Sequence, residues 1–335
     1  MSSTATPSPE PRLLDRLLPY LQIMRIDYWF KNAFMLLGVL LAFSYDTSLI
    51  AWNSLDTLFL AVISTCLIAS SNYTLNELLD SRTDKLHPQK KNRPVPSGKV
   101  RPAIAYGQWI LLAVVGIWLA FLINPNFAYA AIWLWVMGIA YNVPPVRTKD
   151  WPYVDVLSES VNNAIRLLLG WFALISHLFP PVSLILAYWM AGAFFMATKR
   201  FAELRRIGDP AVAAGYRKSF GFYNEDRLLV SMLFYVTACG LFSGMFIVRY
   251  HLELILYVPI AAGFFAYYLN LGLKPNSPVQ NPEKLHRERG FLIYSIVSVI
   301  FFVLLMFTNI PVFYDWFHVD RSRAAPLWTL GSPPH

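Results

Sequence analysis

Residues 56–84 read DTLFLAVISTCLIASSNYTLNELLDSRTD, an apolar run that passes directly into a segment of acids and amides. At about 1.5 Å per residue, some 20 apolar residues in a helix cross about 30 Å of hydrocarbon. Nine apolar runs occur along the chain, at 33–47, 56–75, 104–123, 127–142, 154–176, 181–198, 228–248, 252–272 and 290–311. The sequence therefore predicts an all-α, multi-pass membrane protein with nine transmembrane helices.

The composition agrees with a lipid surrounding. Hydrophobic residues make up 56% of the chain and charged residues 14%, whereas roughly a quarter of a typical soluble domain is charged. The two cysteines, Cys66 and Cys239, lie within apolar runs and are predicted to be buried thiols rather than metal ligands. Because the chain carries no separate basic domain, we do not expect it to bind nucleic acid.

The loops between the runs differ in their content of Lys and Arg. If nine spans alternate across the bilayer, 24 of the 28 basic residues fall on one side, and the positive-inside rule assigns that side to the cytoplasm. We therefore expect a protein of the plasma (inner) membrane with a cytoplasmic N-terminus and an external C-terminus. The predicted organisation is a disordered segment 1–11, a membrane domain 12–311 with cytoplasmic active-site loops at 76–102, 143–155, 199–227 and 273–289, and an external tail 312–335.

The segment after the second run carries oxygen ligands at helical spacing. Asn76, Asp80 and Asp84 stand four residues apart, so they share one face of a helix. Two carboxylates held this way repel unless a cation lies between them, and Mg²⁺ binds through one or two carboxylates together with substrate phosphates. The alternative is that these are solvated loop acids that pair with Arg82 and Lys85. The basic stretch that follows favours a phosphate site.

The loop after the fourth run and the start of the fifth run form a second polar group. Arg147 and Lys149 come first, and Asp155 and Glu159 follow one helical turn apart. Arg166 lies deeper in the same run, where an ionisable residue is a functional candidate by default and needs a partner. Either it binds substrate, or Glu159 or Asn162 satisfies it structurally.

A third group follows the sixth run. Lys199 and Glu203 stand four apart and would direct a cation and a carboxylate into one cavity. Arg200 and Arg217, the latter next to Tyr216, could each bind a phosphate bidentately. The alternative is a solvated basic loop. At the same depth near the chain start, Lys31 adds another cation beside aromatic residues.

The segment 76–84 resembles the first motif of the UbiA-type prenyltransferase superfamily, Asn-Asp-x-x-Asp-x-x-x-Asp followed later by Arg-Pro. Here Glu77 replaces the usual second residue, and Arg93-Pro94 follows. Because Glu77 lies off the helical face that carries Asn76 and Asp80, we expect this replacement to have little effect on the function of the motif. The resemblance covers nearly all of residues 20–311 and implies nine membrane helices around a central cavity.

Four further stretches, 29–32, 84–88, 199–204 and 217–219, resemble the branch of this superfamily that transfers phosphoribose to decaprenyl phosphate. The stretch 199–204 is the most discriminating. Relatives that prenylate aromatic acceptors usually carry a second aspartate-rich motif there, whereas this chain reads KRFAEL.

The resemblance implies Mg²⁺-dependent transfer of 5-phosphoribose from phosphoribosyl pyrophosphate to a polyprenyl phosphate. The donor would bring a diphosphate and a 5-phosphate, and the acceptor would bring a third phosphate. Binding these three anionic groups needs two polar clusters and several cations, which agrees with the charges of these loops. We expect catalytic roles for Asp80, Asp84, Lys199 and Glu203; substrate contacts from Lys31, Lys91, Arg93, Arg147, Lys149, Arg166, Arg200, Tyr216 and Arg217; and metal ligation by Asn76, Asp80, Asp84 and Asp155.

Two other functions fit part of the pattern. An aromatic prenyltransferase would use a prenyl diphosphate, but the second aspartate-rich motif is absent from the sequence. A transporter would also place charges in the membrane, often with inverted repeats and binding groups near the midplane. The sequence has no convincing internal repeat, and its polar groups gather on one side.

Overall fold

The computed structural model describes residues 13–85, 90–280, 282–320 and 327–330. The predicted disordered segment 1–11 and most of the predicted tail beyond 320 lie outside these residues. Within them the chain is helical apart from a single β-bridge.

Twelve α-helices are present in the described ranges: α1 Leu13–Ile23, α2 Leu36–Tyr45, α3 Trp52–Asp84, α4 Pro102–Ile123, α5 Pro125–Asn142, α6 Val154–Phe172, α7 Val182–Ile207, α8 Pro210–Tyr216, α9 Glu225–Tyr250, α10 Val258–Leu273, α11 Arg289–Phe307 and α12 Pro311–Trp316. Short 3₁₀ helices connect them at Ile26–Met35, Thr47–Leu49, Lys90–Asn92, Thr148–Asp150, Lys218–Gly221, Leu252–Tyr257, Pro278–Gln280 and Pro282–Arg287.

Seven segments among the described residues are long and apolar enough to cross a membrane: Leu17–Tyr45, Trp52–Asp84, Pro102–Ile123, Val182–Ile207, Glu225–Tyr250, Leu252–Leu273 and Arg289–Phe307. Their outward faces carry large exposed apolar side chains, for example Leu111, Phe234 and Ile293. Such a surface is suited to lipid rather than water. The protein is therefore an integral membrane protein.

The other two predicted spans are also helices, α5 and α6, but neither contains the strongly apolar stretch of membrane length that each of the seven has. Helix α6 carries Asp155, Glu159 and Arg166, and most of its residues are buried. It contacts α2, α5 and α7. Because protein rather than lipid surrounds it, its sequence need not be uniformly apolar. The charges that lower its hydropathy belong to the polar site described below.

Helices α2 and α6 approach each other closely enough for their backbones to touch. A Cβ atom built on Gly38 would lie 2.0 Å from the carbonyl oxygen of Leu167, and one on Gly170 would lie 2.0 Å from that of Met35. Small residues allow such close contacts between membrane helices. This pair of glycines fixes the position of α6, and with it the three charged side chains that α6 carries.

The loop between α6 and α7 is closed by the C-terminal part of the chain. Leu178 and Thr329 form an antiparallel bridge, in which the N–H of Phe179 donates to the carbonyl of Trp328 at 2.8 Å. Trp171, which is fully buried, donates its indole N–H to the carbonyl of Leu178 at 2.8 Å. The predicted tail is thus partly packed against the end of the bundle where α6 terminates.

Replacing Gly170 by Ala should destabilise the protein by about 1–3 kcal/mol, because overpacking forces backbone shifts. The measurement is thermal unfolding in detergent, followed by size-exclusion chromatography of heated samples. Gly240→Ala is the matched control, since a Cβ there meets no atom within 4 Å. Equal melting temperatures for the two variants would contradict the proposed close contact between α2 and α6.

Candidate active site

Four helices bring their polar ends together at one end of the bundle: the C-terminal ends of α3, α5 and α7 and the N-terminal end of α6. Asn76 on α3 donates to Asn142 on α5 at 2.5 Å. Tyr141 on α5 donates to Glu159 on α6 at 2.9 Å, and Glu159 in turn pairs with Arg200 on α7. The segments that the sequence analysis identified separately are therefore neighbours in space.

The first group of side chains, called the Asp80 cluster, surrounds a single carboxylate. It comprises Asn76, Asp80, Asn142, Arg147 and Lys149. Oδ1 of Asp80 accepts from Lys149 at 2.6 Å and from Arg147 at 3.1 Å, and Oδ2 accepts from Asn76 at 3.2 Å. The 3₁₀ helix Thr148–Asp150 holds the two cations against the end of α3. The predicted neighbourhood of Asn76 and Asp80 is present, but two cations already neutralise the carboxylate.

Lys149 is the most buried cation of the Asp80 cluster, with 5% of its surface exposed. It also donates to Oδ1 of Asn142 at 2.9 Å. Burial lowers the pKa of Lys149 to about 8, although the neighbouring Asp80 carboxylate opposes this shift. Lys149 is thus a cation whose charge depends closely on the anions beside it.

Asp84 lies one helical turn beyond Asp80, at the end of α3, and is buried. Its carboxylate accepts from Arg93 at 2.8 Å, so the Arg-Pro pair of the sequence motif folds back onto the acidic helix. Glu77 points elsewhere, since it accepts from the backbone N–H of Val95 at 3.1 Å. Glu77 supports the loop that carries Arg93 and, as expected, takes no part in the Asp80 cluster.

A second group, called the Asp155 cluster, comprises Asp155, Glu159, Arg200, Glu203 and Arg217. Arg200 lies at its centre, with contacts to Asp155 at 3.3 Å, Glu159 at 2.7 Å and Glu203 at 3.0 Å. Arg217 contacts Asp155 at 3.1 Å. The side chains of Glu159 and Glu203 keep 29% and 21% of their surface accessible, whereas Asp155 keeps none. The two glutamates can therefore reach a ligand, while Asp155 is enclosed.

Asp155 is enclosed by donors that the sequence analysis did not identify. Tyr223 donates to its Oδ1 at 2.6 Å, and Ser219 to its Oδ2 at 3.3 Å. Burial and the Asp155 carboxylate raise the pKa of Tyr223 well above its ordinary value, so its hydroxyl remains a donor. Asp155 as a metal ligand stays a prediction, and a metal ion there would have to displace two guanidinium groups.

Tyr141, which the sequence analysis also missed, connects the two clusters. Its hydroxyl accepts from Arg217 at 3.1 Å and from Arg200 at 3.4 Å, and its ring lies 5.9 Å from Nζ of Lys149. Tyr141 and Asn142 form a polar pair at the end of an apolar run. That was the one signal in the sequence that could have identified them.

The remaining predicted residues lie around the clusters. Lys199 lies within electrostatic range of Glu159 and Glu203, and Lys31 stacks on the ring of Tyr28 at 4.4 Å. Tyr216 contacts Lys90, whose ammonium is 4.7 Å from the Tyr216 ring. Lys91 is exposed, and its role as a substrate contact stays a prediction.

Arg166 is buried, but its partners are amides rather than acids. Its Nε donates to Oδ1 of Asn32 at 2.9 Å, and its Nη1 donates to the backbone carbonyl of Asn162 at 3.2 Å. Glu159, one of the two partners considered from the sequence, pairs with Arg200 instead. Across residues 13–85, 90–280, 282–320 and 327–330, no ion pair involves Arg166.

Asn76, Asp80 and Asp84 are the residues that could hold a divalent cation. The described residues include no group of three or more His, Cys, Asp or Glu side chains arranged around a metal position. Two carboxylates and one amide on a helical face are nevertheless the oxygen donors that Mg²⁺ uses when substrate phosphates complete its coordination. The donor set therefore fits Mg²⁺ bound together with a phosphorylated substrate.

Replacing Asp155 by Asn should lower the stability of the metal-free protein by about 3–5 kcal/mol, because it removes a fully buried carboxylate that Arg200 and Arg217 share and leaves Arg217 without its carboxylate partner. Thermal unfolding in detergent with a chelator present measures this. The control is Glu225→Gln, which removes a carboxylate from a largely exposed pair with Arg205 and should cost no more than about 1 kcal/mol. An unchanged melting temperature for the Asp155 variant would favour the metal-ligand prediction instead.

Solved structures share this fold. A UbiA homolog from Archaeoglobus fulgidus, determined with DMAPP and Mg²⁺ bound, superimposes with a TM-score of 0.64 at 19% identity, over 86% of this chain and 98% of that one. A digeranylgeranylglyceryl phosphate synthase superimposes with a TM-score of 0.62 at 15% identity, over 88% and 99%. At these identities the likeness concerns the fold alone.

Several relatives of known name are similar in sequence. The decaprenyl-phosphate phosphoribosyltransferase of Mycobacterium tuberculosis is 28% identical over 222 residues, which are 66% of this chain and 71% of the relative. The protein of that name from Mycolicibacterium smegmatis is 29% identical over 235 residues, 68% and 69% of the two chains. The protoheme IX farnesyltransferase of Korarchaeum cryptofilum is 35% identical over 121 residues, 36% and 40% of the two chains.

A family model covers most of the chain. The description of that model is UbiA prenyltransferase family, and the match extends over residues 33–287, which include both polar clusters. This confirms the resemblance found in the sequence motifs and identifies the protein as a transferase. The chain belongs to the UbiA prenyltransferase family.

Proposed function

We propose that this protein transfers 5-phosphoribose from phosphoribosyl pyrophosphate to a polyprenyl phosphate and releases pyrophosphate. The observation that carries the proposal is the Asp155 cluster. It places the buried Arg200 and the half-buried Arg217 where a second diphosphate-binding acid motif would be expected for aromatic prenyl transfer. The names of the mycobacterial relatives support the same donor and acceptor.

The Asp80 cluster and Asp84 are suited to the diphosphate of the donor. Asn76, Asp80 and Asp84 would hold Mg²⁺, which would supply positive charge beside the diphosphate of the donor. Arg147 and Lys149, which now lie on Asp80, can turn toward the phosphates as these arrive. Positive groups fixed at the leaving group are a major source of rate enhancement.

The Asp155 cluster is suited to the other end of the donor. Arg217 keeps 18% of its side chain accessible and can donate to the 5-phosphate. Glu159 and Glu203 are accessible acceptors, so they can hold the ribose hydroxyls in a fixed orientation. Asp155 then acts by holding the two arginines in place.

The reaction needs no covalent enzyme intermediate. An oxygen of the lipid phosphate attacks the anomeric carbon of the ribose and forms a new C–O bond. The bond from that carbon to the pyrophosphate oxygen breaks, and its electron pair leaves with pyrophosphate. Because the lipid phosphate is already anionic at neutral pH, no general base is required.

We further propose nine membrane-spanning helices, with α5 and α6 added to the seven apolar segments. In this topology the N-terminus and both polar clusters lie on the cytoplasmic side of the plasma (inner) membrane, and the C-terminus lies outside. The excess of Lys and Arg on that side supports this orientation. Lys199 and Glu203 at the end of α7 then face the cytoplasm, where a soluble, charged donor can reach them.

The test is transfer of radiolabel from phosphoribosyl pyrophosphate into the lipid phase, using the purified protein in detergent with Mg²⁺ and a polyprenyl phosphate. Asp80→Asn and Asp84→Asn should each reduce transfer by at least about 100-fold, since removing one group that stabilises transition-state charge typically has that effect. EDTA should abolish transfer. Asp56→Asn, at the other end of the same helix and exposed, should be as active as the wild type.

Full activity of the Asp80 or Asp84 variants would contradict these roles. If no label enters the lipid while a prenyl diphosphate reacts with an aromatic acid, the protein is instead an aromatic prenyltransferase. The farnesyltransferase among its relatives gives that alternative a specific basis.

A further inference from the structure

Arg166 differs from the other buried cations of the polar end. Lys149 and Arg200 each pair with at least one carboxylate, whereas among the described residues Arg166 pairs with none. Its hydrogen bonds to Asn32 and Asn162 use two of the five N–H groups of a guanidinium. With 7% of its surface exposed, it is a buried positive charge that a single anion would neutralise.

A buried acceptor lies beside Arg166 on the same helix. Oδ1 of Asn162 is buried and accepts no hydrogen bond from any described residue. The amide nitrogen of Asn162 is used, since it donates to the carbonyl of Glu159 at 3.1 Å. Such orphaned acceptors are rare in folded proteins and need an explanation. A ligand that suits this place must accept hydrogen bonds from Arg166 and donate one to Asn162.

A phosphate monoester bound as its monoanion has both properties. It carries one negative charge, several acceptor oxygens and one P–OH donor. The second proton of a phosphate monoester leaves near pH 6 in water, and burial favours the form with less charge. The acceptor in the proposed reaction, a polyprenyl phosphate, is a phosphate monoester.

The surroundings hold Arg166 in one position. Asn32 accepts from Arg166 through its oxygen, and its Nδ2 donates to the sulfur of Cys66 at 3.1 Å. One turn after Arg166, Gly170 makes the close contact between α6 and α2. A guanidinium fixed in this way is preorganised for an anion and does not need to be ordered when the anion binds.

Arg166 lies deeper in the bundle than the residues proposed to bind the donor. It lies seven residues beyond Glu159 on α6, so its Cα is about 10 Å further into the bundle. The helix beyond it is apolar, with Leu167, Leu168 and Leu169 all buried. A lipid whose chain lies in the apolar interior would present its head at this level, below a donor held at the polar end.

We propose that Arg166, together with Asn32 and Asn162, forms the subsite that binds the phosphate head of the lipid acceptor as a monoanion. This assignment rests on the proposed function for the identity of the acceptor. Lys199 and Lys31 lie within electrostatic range of Glu159, which stands seven residues before Arg166 on α6.

The test measures binding of a C15 prenyl monophosphate to the full-length protein in detergent, by native mass spectrometry and by fluorescence titration. The prenol of equal length and inorganic phosphate are the comparison probes, which separate the lipid chain from the phosphate group. Arg166→Gln should weaken monophosphate binding about tenfold or more, since hydrogen bonds to charged groups are lost, and leave prenol binding unchanged. Arg249→Gln, at the other end of the bundle, removes a charge as a control and should have no effect.

Asn162→Leu is a second test variant. It keeps Arg166 in place and can therefore be measured even if Arg166→Gln does not fold. It removes the orphaned acceptor and leaves the backbone carbonyl that binds Arg166. If the acceptor receives the P–OH group, monophosphate binding weakens several-fold. If the acceptor receives no hydrogen bond from the ligand, the variant binds the monophosphate as the wild type does.

In turnover, Arg166→Gln should raise the KM for the lipid phosphate and leave the KM for phosphoribosyl pyrophosphate within about twofold. The proposed subsite is wrong if both variants bind the monophosphate with unchanged affinity, or if they lose affinity only for phosphoribosyl pyrophosphate. Either result leaves the proposed transfer reaction in place. Binding of the monophosphate that depends on Arg166, in a protein that transfers no phosphoribose, supports the subsite and overturns the proposed function.

Discussion

The carboxylate of Asp155 is the interaction on which the polar end of this protein depends. It has no accessible surface, and its oxygens accept hydrogen bonds from Arg200, Arg217, Ser219 and Tyr223. A buried carboxylate is stable only when donors surround it, so Asp155 joins α6 to α7 and to the segment after α8. The two arginines are consequently fixed before any substrate arrives, which is the condition under which fixed charges accelerate reactions most.

The position of α6 explains why a membrane protein can carry so many charges on one helix. Backbone contact at Gly38 and Gly170 encloses α6 on one side, and α5 and α7 enclose it on others. Its charged residues therefore face polar partners instead of lipid. The same enclosure makes α6 the element shared by both proposed substrates, because Glu159 lies at the donor level and Arg166 deeper.

Much of the site could be predicted from residue spacing along single helices. Asn76 and Asp80 are neighbours because they are one turn apart, and Arg200 and Glu203 are neighbours for the same reason. The number of strongly apolar spans was less predictable, since helices enclosed by protein need not be apolar. The spacing of residues in the sequence therefore identifies which side chains share a face of a helix, but not which residues of other helices that face contacts.

The residues that sequence reasoning missed have a common cause. Asn142, Tyr141, Ser219 and Tyr223 are uncharged and belong to no periodic pattern, and each meets its partner across many residues of sequence. The contact of Lys90 with Tyr216 was likewise not identified from the sequence, because the direction of the backbone in this loop decides which lysine reaches the tyrosine. Hydroxyl and amide groups that orient charged residues are specified by the tertiary fold.

The end of the bundle opposite the clusters is closed by the chain itself. There the C-terminal segment pairs with the loop after α6 through the bridge between Leu178 and Thr329. Asn124 donates to the carbonyl of Phe172 at 2.7 Å, and Glu253 accepts from the backbone N–H of Ile310 at 3.0 Å. Under the proposed function, the water-soluble donor and pyrophosphate would enter and leave at the end that carries the two clusters, and the lipid would enter and leave through the bilayer. In that proposal turnover moves nothing across the membrane, so a product needed on the far side would have to be carried there by another protein.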